Sequence, residues 1–471
     1  MGSIKILEKL RSGLGSDDKS KVSIFESQRL PYVNLQKVLI AQNKSGAALE
    51  ISERGRARAF VELLQHRYLP KSATPLQSAP LTLKQIQHIA QTKNTTLVQY
   101  SIIYEDSYED SVVKGRMQRK EIKFYIWVVK PSGEVVFRQV DLPSQGSLNE
   151  LVTGTRMAMG VDRSPFLIAH VPGVLQLDKA KQTQQLQKLH KLLIEPIADL
   201  LPTDPKQNVI FIPQGALFSV PFAALQDQNG TYLIEKHTIL TAPSIHVLDL
   251  THQQKLAERG DGKQAALVVG NPSMPLYQDP QDPQKASQLP PLKGAEAEAR
   301  EIAPLLHTKA ITGGQATKAA IKQQMVTANI IHLATHGILD NLSGLSSAIA
   351  LAPDHPGTPN DGLLTAAEIL DMKLHAELVV LSACDTGRGR ITGDGVIGLS
   401  RSLITAGVPS VIVSLWSVPD APTAALMTEF YQQLDRSSNK AQALRQAMLT
   451  TMKTHPNPVD WAAFTLIGEA Q

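Results

Sequence analysis

The sequence predicts an α/β protein in which a mostly parallel sheet is flanked by helices. From about residue 209 onward, short apolar runs alternate with helix-forming stretches, and this alternation is typical of parallel sheets. The apolar runs lack a polar face, as expected for strands that are covered on both sides. The predicted strands cover residues 209–212, 266–269, 330–334, 378–383 and 410–415, and the predicted helices cover 295–306, 316–326, 395–406, 421–434 and 440–453. Residues 272–291, rich in Asp, Pro and Gln, are expected to form an exposed loop.

The chain before residue 209 has a different pattern. Residues 1 to about 70 are rich in helix formers, and within a predicted helix at 51–64 one face carries Ala57, Phe60, Val61 and Leu64. A linker with Ser and Pro follows at 72–80. Beyond it we expect helices at 83–91 and 179–200, strands at 97–104, 124–130 and 135–140, and a charged, exposed hairpin excursion at 105–123.

Composition narrows the class of protein. A chain of 471 residues suggests two or three domains, and its 42% hydrophobic content is ordinary for a globular protein. The 47 Lys and Arg against 43 Asp and Glu leave too small an excess to indicate a nucleic-acid partner. No charged leader precedes an apolar stretch, and no apolar run nears the roughly 18 residues of a membrane helix. We therefore expect a soluble, cytoplasmic protein that binds neither nucleic acid nor membrane.

The single cysteine, Cys384, excludes an internal disulfide and a cysteine-cluster metal site. It follows the predicted strand 378–383, just as His336 follows the predicted strand 330–334. Functional groups of open α/β sheets gather beyond the carboxyl ends of the strands, so neighbouring parallel strands would bring these two side chains together. An adjacent imidazole converts a thiol to the thiolate that attacks a carbonyl. The pair therefore predicts nucleophilic catalysis rather than a buried structural cysteine.

The tetrahedral intermediate of such a reaction needs backbone N–H donors, each contributing about 3–4 kcal/mol. Gly337, directly after the histidine, and Cys384 itself are the candidate donors, and glycine suits the position because its backbone can approach a substrate closely. The sequence offers no clear third residue to orient His336. We therefore predict a Cys-His dyad.

Several motifs resemble those of CHAT peptidases, a family related to caspases and separases. Segments 332–337 (His-Leu-Ala-Thr-His-Gly) and 381–387 (Leu-Ser-Ala-Cys-Asp-Thr-Gly) resemble the family's two active-site motifs. Further matching segments are 213–215, 221–225, 269–272, 393–399, 415–420 and 461–468. The resemblance runs from about residue 80 to the end, and it implies a bacterial protein. The helix at 52–64 resembles the end of a tetratricopeptide array.

This resemblance implies three parts of the chain. Residues 1–78 would form a short helical segment, 79–260 a catalytically silent caspase-like half, and 261–471 the catalytic caspase-like half. It also implies a cysteine endopeptidase without metal or cofactor, regulated by a protein partner or by processing. Because related peptidases often cut after Arg or Lys, an acidic pocket is expected. Asp420 is the first candidate for its carboxylate, Asp394 the second and Asp385 the third, and Trp416 is a candidate wall.

Other interpretations stay open. His332 and His336 are spaced like two zinc ligands, but Leu333 replaces the glutamate of a His-Glu-x-x-His motif, so His332 is expected in the core or in contact with the site residues. The glycines between 387 and 395 match no nucleotide-binding fingerprint. Trp416 could equally pack in the core, and the aspartates could lie on the surface. A scaffold or signalling module without turnover, and an acyl-transferring enzyme acting on small molecules, are the two rival functions.

Overall fold

The structure is a computed structural model, and it describes a defined part of the chain. The described residues are 4, 6, 30–68, 80–107, 118–142, 146–161, 178–257, 266–279, 284, 286–340, 344–383, 390–392, 395–417 and 419–471. Three residues singled out by the sequence, Cys384, Asp385 and Asp394, lie outside them. The chain divides into two compact units, residues 1–247 with 392–395, and residues 248–391 with 396–471. The three-part division stays a prediction.

The first unit combines helices with a five-stranded sheet. Its helices are α1 (Leu30–Ala41), α2 (Ser45–Arg54), α3 (Arg58–Tyr68), α4 (Leu83–Thr92), α5 (Leu148–Ala158), α6 (Lys179–Leu193), α7 (Leu233–Lys236) and the start of α8 (Ile245–Ala257). Its strands are β1 (Thr96–Ser107), β2 (Gln118–Val129), β3 (Val135–Asp141), β4 (Asn208–Ile212) and β5 (Thr238–Thr241). The strand order is β3-β2-β1-β4-β5. The β1–β4 and β4–β5 pairs are parallel, and the β1–β2 and β2–β3 pairs are antiparallel.

The second unit is built on a six-stranded sheet. Its strands are β6 (Leu267–Pro272), β9 (Ala310–Gly313), β10 (Ile330–Ala334), β14 (Leu378–Ser382), β17 (Ser410–Ser414) and β18 (Phe464–Gly468), in the order β18-β17-β14-β10-β6-β9. All neighbours are parallel except β17 and β18. Ile331, His332 and Leu333 of β10 are all fully buried, so both faces of this central strand are covered. The predicted α/β class with a mostly parallel sheet flanked by helices is confirmed.

Helices and short strands complete this unit. The helices are α9 (Lys293–Leu305), α10 (Lys318–Met325), α11 (Ala366–Leu370), α12 (Leu399–Ala406), α13 (Asp420–Arg436), α14 (Lys440–Thr454) and α15 (Pro458–Trp461). The short strands are β7 (Leu276–Gln278), β8 (Ala286–Gln288), β11 (Gly337–Ile338), β12 (Ala348–Ala350), β13 (Leu363–Thr365), β15 (Arg390–Thr392) and β16 (Gly395–Ile397). Across the described residues, no helix combines the length and apolar character that a membrane crossing requires.

The predicted helix 51–64 is wrong, because the chain breaks between α2 and α3. At the break Ala57 adopts a positive φ of 47°. Arg56 is buried there, and its guanidinium donates hydrogen bonds to the backbone carbonyls of Pro213 and Tyr100. A continuous helix would carry Arg56 away from these two acceptors, so long-range hydrogen bonds override local helix propensity.

Two further segments differ from the sequence prediction. Residues 272–291, predicted as an exposed loop, contain the antiparallel pair β7–β8. The predicted helix 395–406 begins later, at Leu399, because Gly395–Ile397 is a strand. Glycine disfavours a helix interior, which is consistent with the later start after Gly398. Both ends of the expected excursion 105–123 are strand residues, because β1 and β2 stay paired as far as Ser107 and Gln118.

Candidate active site

The backbone around His336 is fixed at the carboxyl end of β10. The Thr335 hydroxyl donates to the Ala350 carbonyl at 2.7 Å, and the Ala350 N–H donates to the His336 carbonyl at 2.9 Å. Ala350 belongs to β12 and is fully buried. The side chain of Thr335 and the backbone of His336 thus both bond to Ala350, which ties the end of β10 to β12. His336 is therefore presented from a rigid edge of the sheet.

The His336 ring is oriented by a main-chain carbonyl. Its Nε2 lies 2.8 Å from the carbonyl oxygen of Pro290. A carbonyl oxygen only accepts hydrogen bonds, so Nε2 carries the proton and a neutral ring keeps its lone pair on Nδ1. Nδ1 is thus the nitrogen available to accept a proton from a nucleophile. This partner was missed from the sequence, because no residue type marks a backbone carbonyl.

The backbone N–H of Gly337 is not used in the pairing of β11 with β12. It lies opposite Ile349 in the antiparallel β11–β12 pair. The carbonyl of His336 points at Ala350. In a planar trans peptide the carbonyl and the following N–H point in opposite directions, so the Gly337 N–H is directed away from β12. Its role as an oxyanion donor stays a prediction.

The neighbouring strand β14 leads toward Cys384. Ser382 lies directly opposite Ala334 in the parallel register of β10 and β14. The hydroxyl of Ser414, at the end of β17, donates to the carbonyl of Ala383. In the sequence, His336 and Cys384 each follow two residues after the paired Ala334 and Ser382. The strands that carry the two predicted catalytic residues are therefore parallel neighbours.

Trp416 packs in the core of the second unit. Its side chain is 1% exposed, and its ring N–H donates to the carbonyl of Val459 at 3.0 Å. A buried indole with a satisfied N–H is an ordinary core residue. The structure therefore agrees with the alternative that Trp416 packs in the core. Its role as a wall of the substrate pocket stays a prediction.

Asp420 is exposed and occupies the first turn of α13. A carboxylate is favourable at this end of a helix. A Cβ added to Gly294, the second residue of α9, would lie 2.1 Å from both Cβ and Oδ2 of Asp420. The aspartate therefore packs on the backbone of α9, two residues after the Pro290-Pro291-Leu292 segment. The role of Asp420 in a substrate pocket stays a prediction.

His332 forms a buried polar network. Its Nδ1 lies 3.1 Å from the hydroxyl of Tyr431, and its Nε2 lies 3.1 Å from Oε1 of Glu298. The three side chains are at most 3% exposed. Burial, with a contribution from nearby Glu298, raises the pKa of Tyr431 well above its usual value. The expectation that His332 is a core residue is confirmed. Within the described residues, no group of three or more His, Cys, Asp or Glu side chains could hold a metal ion.

Two mammalian proteins are related to this chain in sequence. Human tetratricopeptide repeat protein 28 is 26% identical, over 95% of this chain and 22% of the relative. The mouse protein of the same name is 25% identical with the same coverage. The chain thus spans 22% of the length of these curated relatives.

Solved structures share the fold. Separase from Saccharomyces cerevisiae, in its complex with securin, superposes with a TM-score of 0.57 over 97% of this chain and 37% of that chain, at 9% identity. A second structure of that complex gives a TM-score of 0.50 at 10% identity. Residues 183–469, more than half of the chain, match the CHAT domain. The chain belongs to the CHAT-domain family.

Proposed function

We propose that this protein is a cysteine endopeptidase in which Cys384 attacks a peptide carbonyl and His336 acts as base and then acid. The observation that supports it most is the parallel pairing of β10 and β14, with Ala334 opposite Ser382 two residues before each predicted catalytic residue. The hydrogen bond of His336 to Pro290 leaves Nδ1 as the acceptor that the mechanism needs. Membership of the CHAT family supports the same reading.

In the proposed reaction, Nδ1 of His336 takes the thiol proton and the thiolate of Cys384 adds to the carbonyl carbon. The N–H groups of Gly337 and Cys384 stabilise the oxyanion. His336 then protonates the departing amine, and a thioester remains on Cys384. Water, activated by the same imidazole, hydrolyses the thioester and regenerates the thiol. No metal or cofactor takes part in this proposal.

The predicted catalytically silent half is the part of the chain from residue 79 to about residue 260. The chain has one cysteine, and it lies in the second unit, so the first unit contains no thiol nucleophile. We propose that the first unit supports the fold and the access of a protein substrate. The solved separase structures contain a bound securin, which favours a protein ligand for this chain as well.

Two finer proposals concern specificity and control. The substrate would carry Arg or Lys before the cut, with Asp420 as the first and Asp394 as the second candidate carboxylate, and Trp416 as a wall. The intact chain would be weakly active until a protein partner binds or until the chain is cut within 105–123 or 272–291. An intact, freshly purified chain that turns over at about 10 s⁻¹, a typical enzyme rate, would contradict this latency.

The test is a cleavage profile on a denatured proteome, with Cys384→Ala as the matched control. New N-termini that follow Arg or Lys and depend on Cys384 would support the peptidase. The second candidate function is a scaffold without turnover, which the curated relatives favour because they are named for a repeat. Identical profiles for the wild type and Cys384→Ala, with or without a cut in 272–291, would favour that candidate.

A further inference from the structure

Asn271 joins the end of β6 to the segment that carries Pro290. Its Oδ1 accepts a hydrogen bond from the Leu292 N–H at 2.7 Å, and its Nδ2 donates to Oε2 of Glu296 at 3.1 Å. Its backbone adopts a φ of 46°, a left-handed conformation that asparagine tolerates better than most residues. The side-chain oxygen and nitrogen of Asn271 thus both form hydrogen bonds with the start of one helix, α9.

The bond to Leu292 supplies a missing helix cap. Leu292 is the N-cap residue of α9 and its own side chain makes no capping hydrogen bond. The first N–H groups of a helix need outside acceptors, and Asn271 provides one of them from another strand. Hydrogen bonds from Arg300 and then from Asn271 lower the pKa of the Glu296 carboxyl, so this second contact favours the charged form.

The capped segment is stiff as far as Pro290. The proline ring of Pro291 fixes its own φ, and the residue before a proline is confined to extended conformations. Only one residue, Pro291, separates Leu292 from Pro290, whose carbonyl lies 2.8 Å from Nε2 of His336. A displacement of Leu292 therefore moves the acceptor of the catalytic histidine.

The rest of α9 is fixed independently of Asn271. A Cβ at Gly270 would lie 2.4 Å from the Ala295 carbonyl oxygen, so the helix lies directly on β6. Further along, Glu298 is bonded to His332 of β10. Removing the side chain of Asn271 should thus release the first turn without detaching the helix.

We infer that Asn271 is a positioning residue for His336, acting through Leu292 and the Pro290 carbonyl to hold the imidazole in its Nε2–H form. This inference rests on the proposed function for its catalytic meaning. The tautomer of His336 can be measured without turnover, so the two ideas fail separately.

The experiment is ¹⁵N NMR of the histidine rings at about pH 8, with the His336 signal identified by its loss in His336→Gln. The wild type should show the Nε2–H tautomer. Asn271→Gly removes both side-chain bonds without backbone strain and should give a mixture of tautomers. In Asn271→Asp combined with Glu296→Gln, residue 296 becomes the donor and residue 271 the acceptor of the bond between them. The aspartate also keeps an acceptor for the Leu292 N–H, so the double variant should restore the Nε2–H form.

Asn360→Gly is the matched control. Asn360 also has a positive φ, of 63°, and its side chain also makes two hydrogen bonds, here with the Gln278 N–H and carbonyl. This variant should change the His336 tautomer much less than Asn271→Gly does, because Gln278 pairs with Ala286, four residues before Pro290. A wild-type tautomer in Asn271→Gly, or an equal change in both glycine variants, would overturn the inference.

Activity provides the second readout. In Asn271→Gly, kcat should fall by roughly ten- to a hundredfold with little change in KM, since a small misplacement of a catalytic group costs about that much. If the tautomer changes as expected but no protein turns over substrate, the positioning role stands and the proposed peptidase function fails.

Discussion

Ala334 lies directly opposite Ser382 in the parallel register of β10 and β14. This pairing gives the two predicted catalytic positions the same distance from the end of their strands, because His336 and Cys384 each come two residues later. Parallel strands end at one edge, where α/β proteins place their functional groups. The Cys384–His336 dyad therefore rests on the pairing of two strands as well as on two sequence motifs.

The first prediction concerns the buried network of His332. His332→Leu would leave the carboxyl of Glu298, only 3% exposed, without its imidazole partner. An orphaned buried charge costs about 3–5 kcal/mol, so the free energy of unfolding should fall by that order. Urea unfolding measures it. Adding Glu298→Met should recover part of the loss because no buried charge then remains, and a single variant as stable as the wild type would contradict the network.

The second prediction is a pH dependence set by Lys440. This side chain is 5% exposed, and burial, followed by the nearby Lys255, lowers its pKa to about 8, against the opposing effects of Glu377 and Glu469. Below pH 8 the amine is charged in both states, so folding carries the full cost of burying the charge. That cost disappears as the pH rises through the unfolded pKa near 10.4.

Lys440→Met should therefore stabilise the fold at pH 7, by about 2–3 kcal/mol. The gain should shrink between pH 8 and pH 10.5. The comparison is urea unfolding at pH 7 and pH 10, with Lys453→Met, an exposed position on the same helix, as control. A gain that is equal at both pH values would show that the charge of Lys440 is not its cause.

The third prediction concerns specificity. If Asp420 binds a substrate arginine, the charge-assisted hydrogen bond contributes about 1.5–3 kcal/mol. Asp420→Ala should then lower kcat/KM for arginine substrates by roughly ten- to a hundredfold, with little effect on leucine substrates. Asp394→Ala is the comparison. A peptide library in which the wild type prefers Leu or Met to Arg and Lys would exclude the acidic pocket.

Gly294 offers an independent variant for the same question. A Cβ there would lie 2.1 Å from both the Cβ and Oδ2 of Asp420, so rotation of the carboxylate alone cannot relieve the contact and the starts of α9 and α13 must move apart. Gly294→Ala should thus displace the carboxylate without removing it and reduce the arginine preference. Equal losses on arginine and leucine substrates would instead indicate damage to the first turn of α9.

The fourth prediction concerns Ser414, whose hydroxyl donates to the Ala383 carbonyl. That carbonyl belongs to the peptide group leading into Cys384, whose N–H is the second proposed oxyanion donor. Ser414→Ala should lower kcat by about tenfold, less than the loss of a donor itself, while iodoacetamide still alkylates Cys384 at the wild-type rate. Ser410→Ala is the matched control, because the Ser410 hydroxyl donates to the Glu469 carbonyl at the other end of β17. Equal effects of both variants on kcat would contradict the assignment.

The sequence predicted the sheet better than the site. Runs such as 330–334 and 378–383 are mostly apolar, as expected for strands covered on both sides, and burial explains why they become central strands. The break at Arg56 escaped prediction because its two acceptors, the carbonyls of Tyr100 and Pro213, are distant in the chain. The Pro290 carbonyl escaped for a related reason, since a main-chain acceptor leaves no signature in residue type.

The central claim is tested most directly by kcat/KM on one fluorogenic peptide for Cys384→Ala, His336→Ala and the double variant. Each single variant should lose at least about a thousandfold, and the double variant should lose no more than either, because the two residues act as a unit. Unchanged urea midpoints would show that the fold survives. A Cys384→Ala protein that cuts at the wild-type rate would contradict the account.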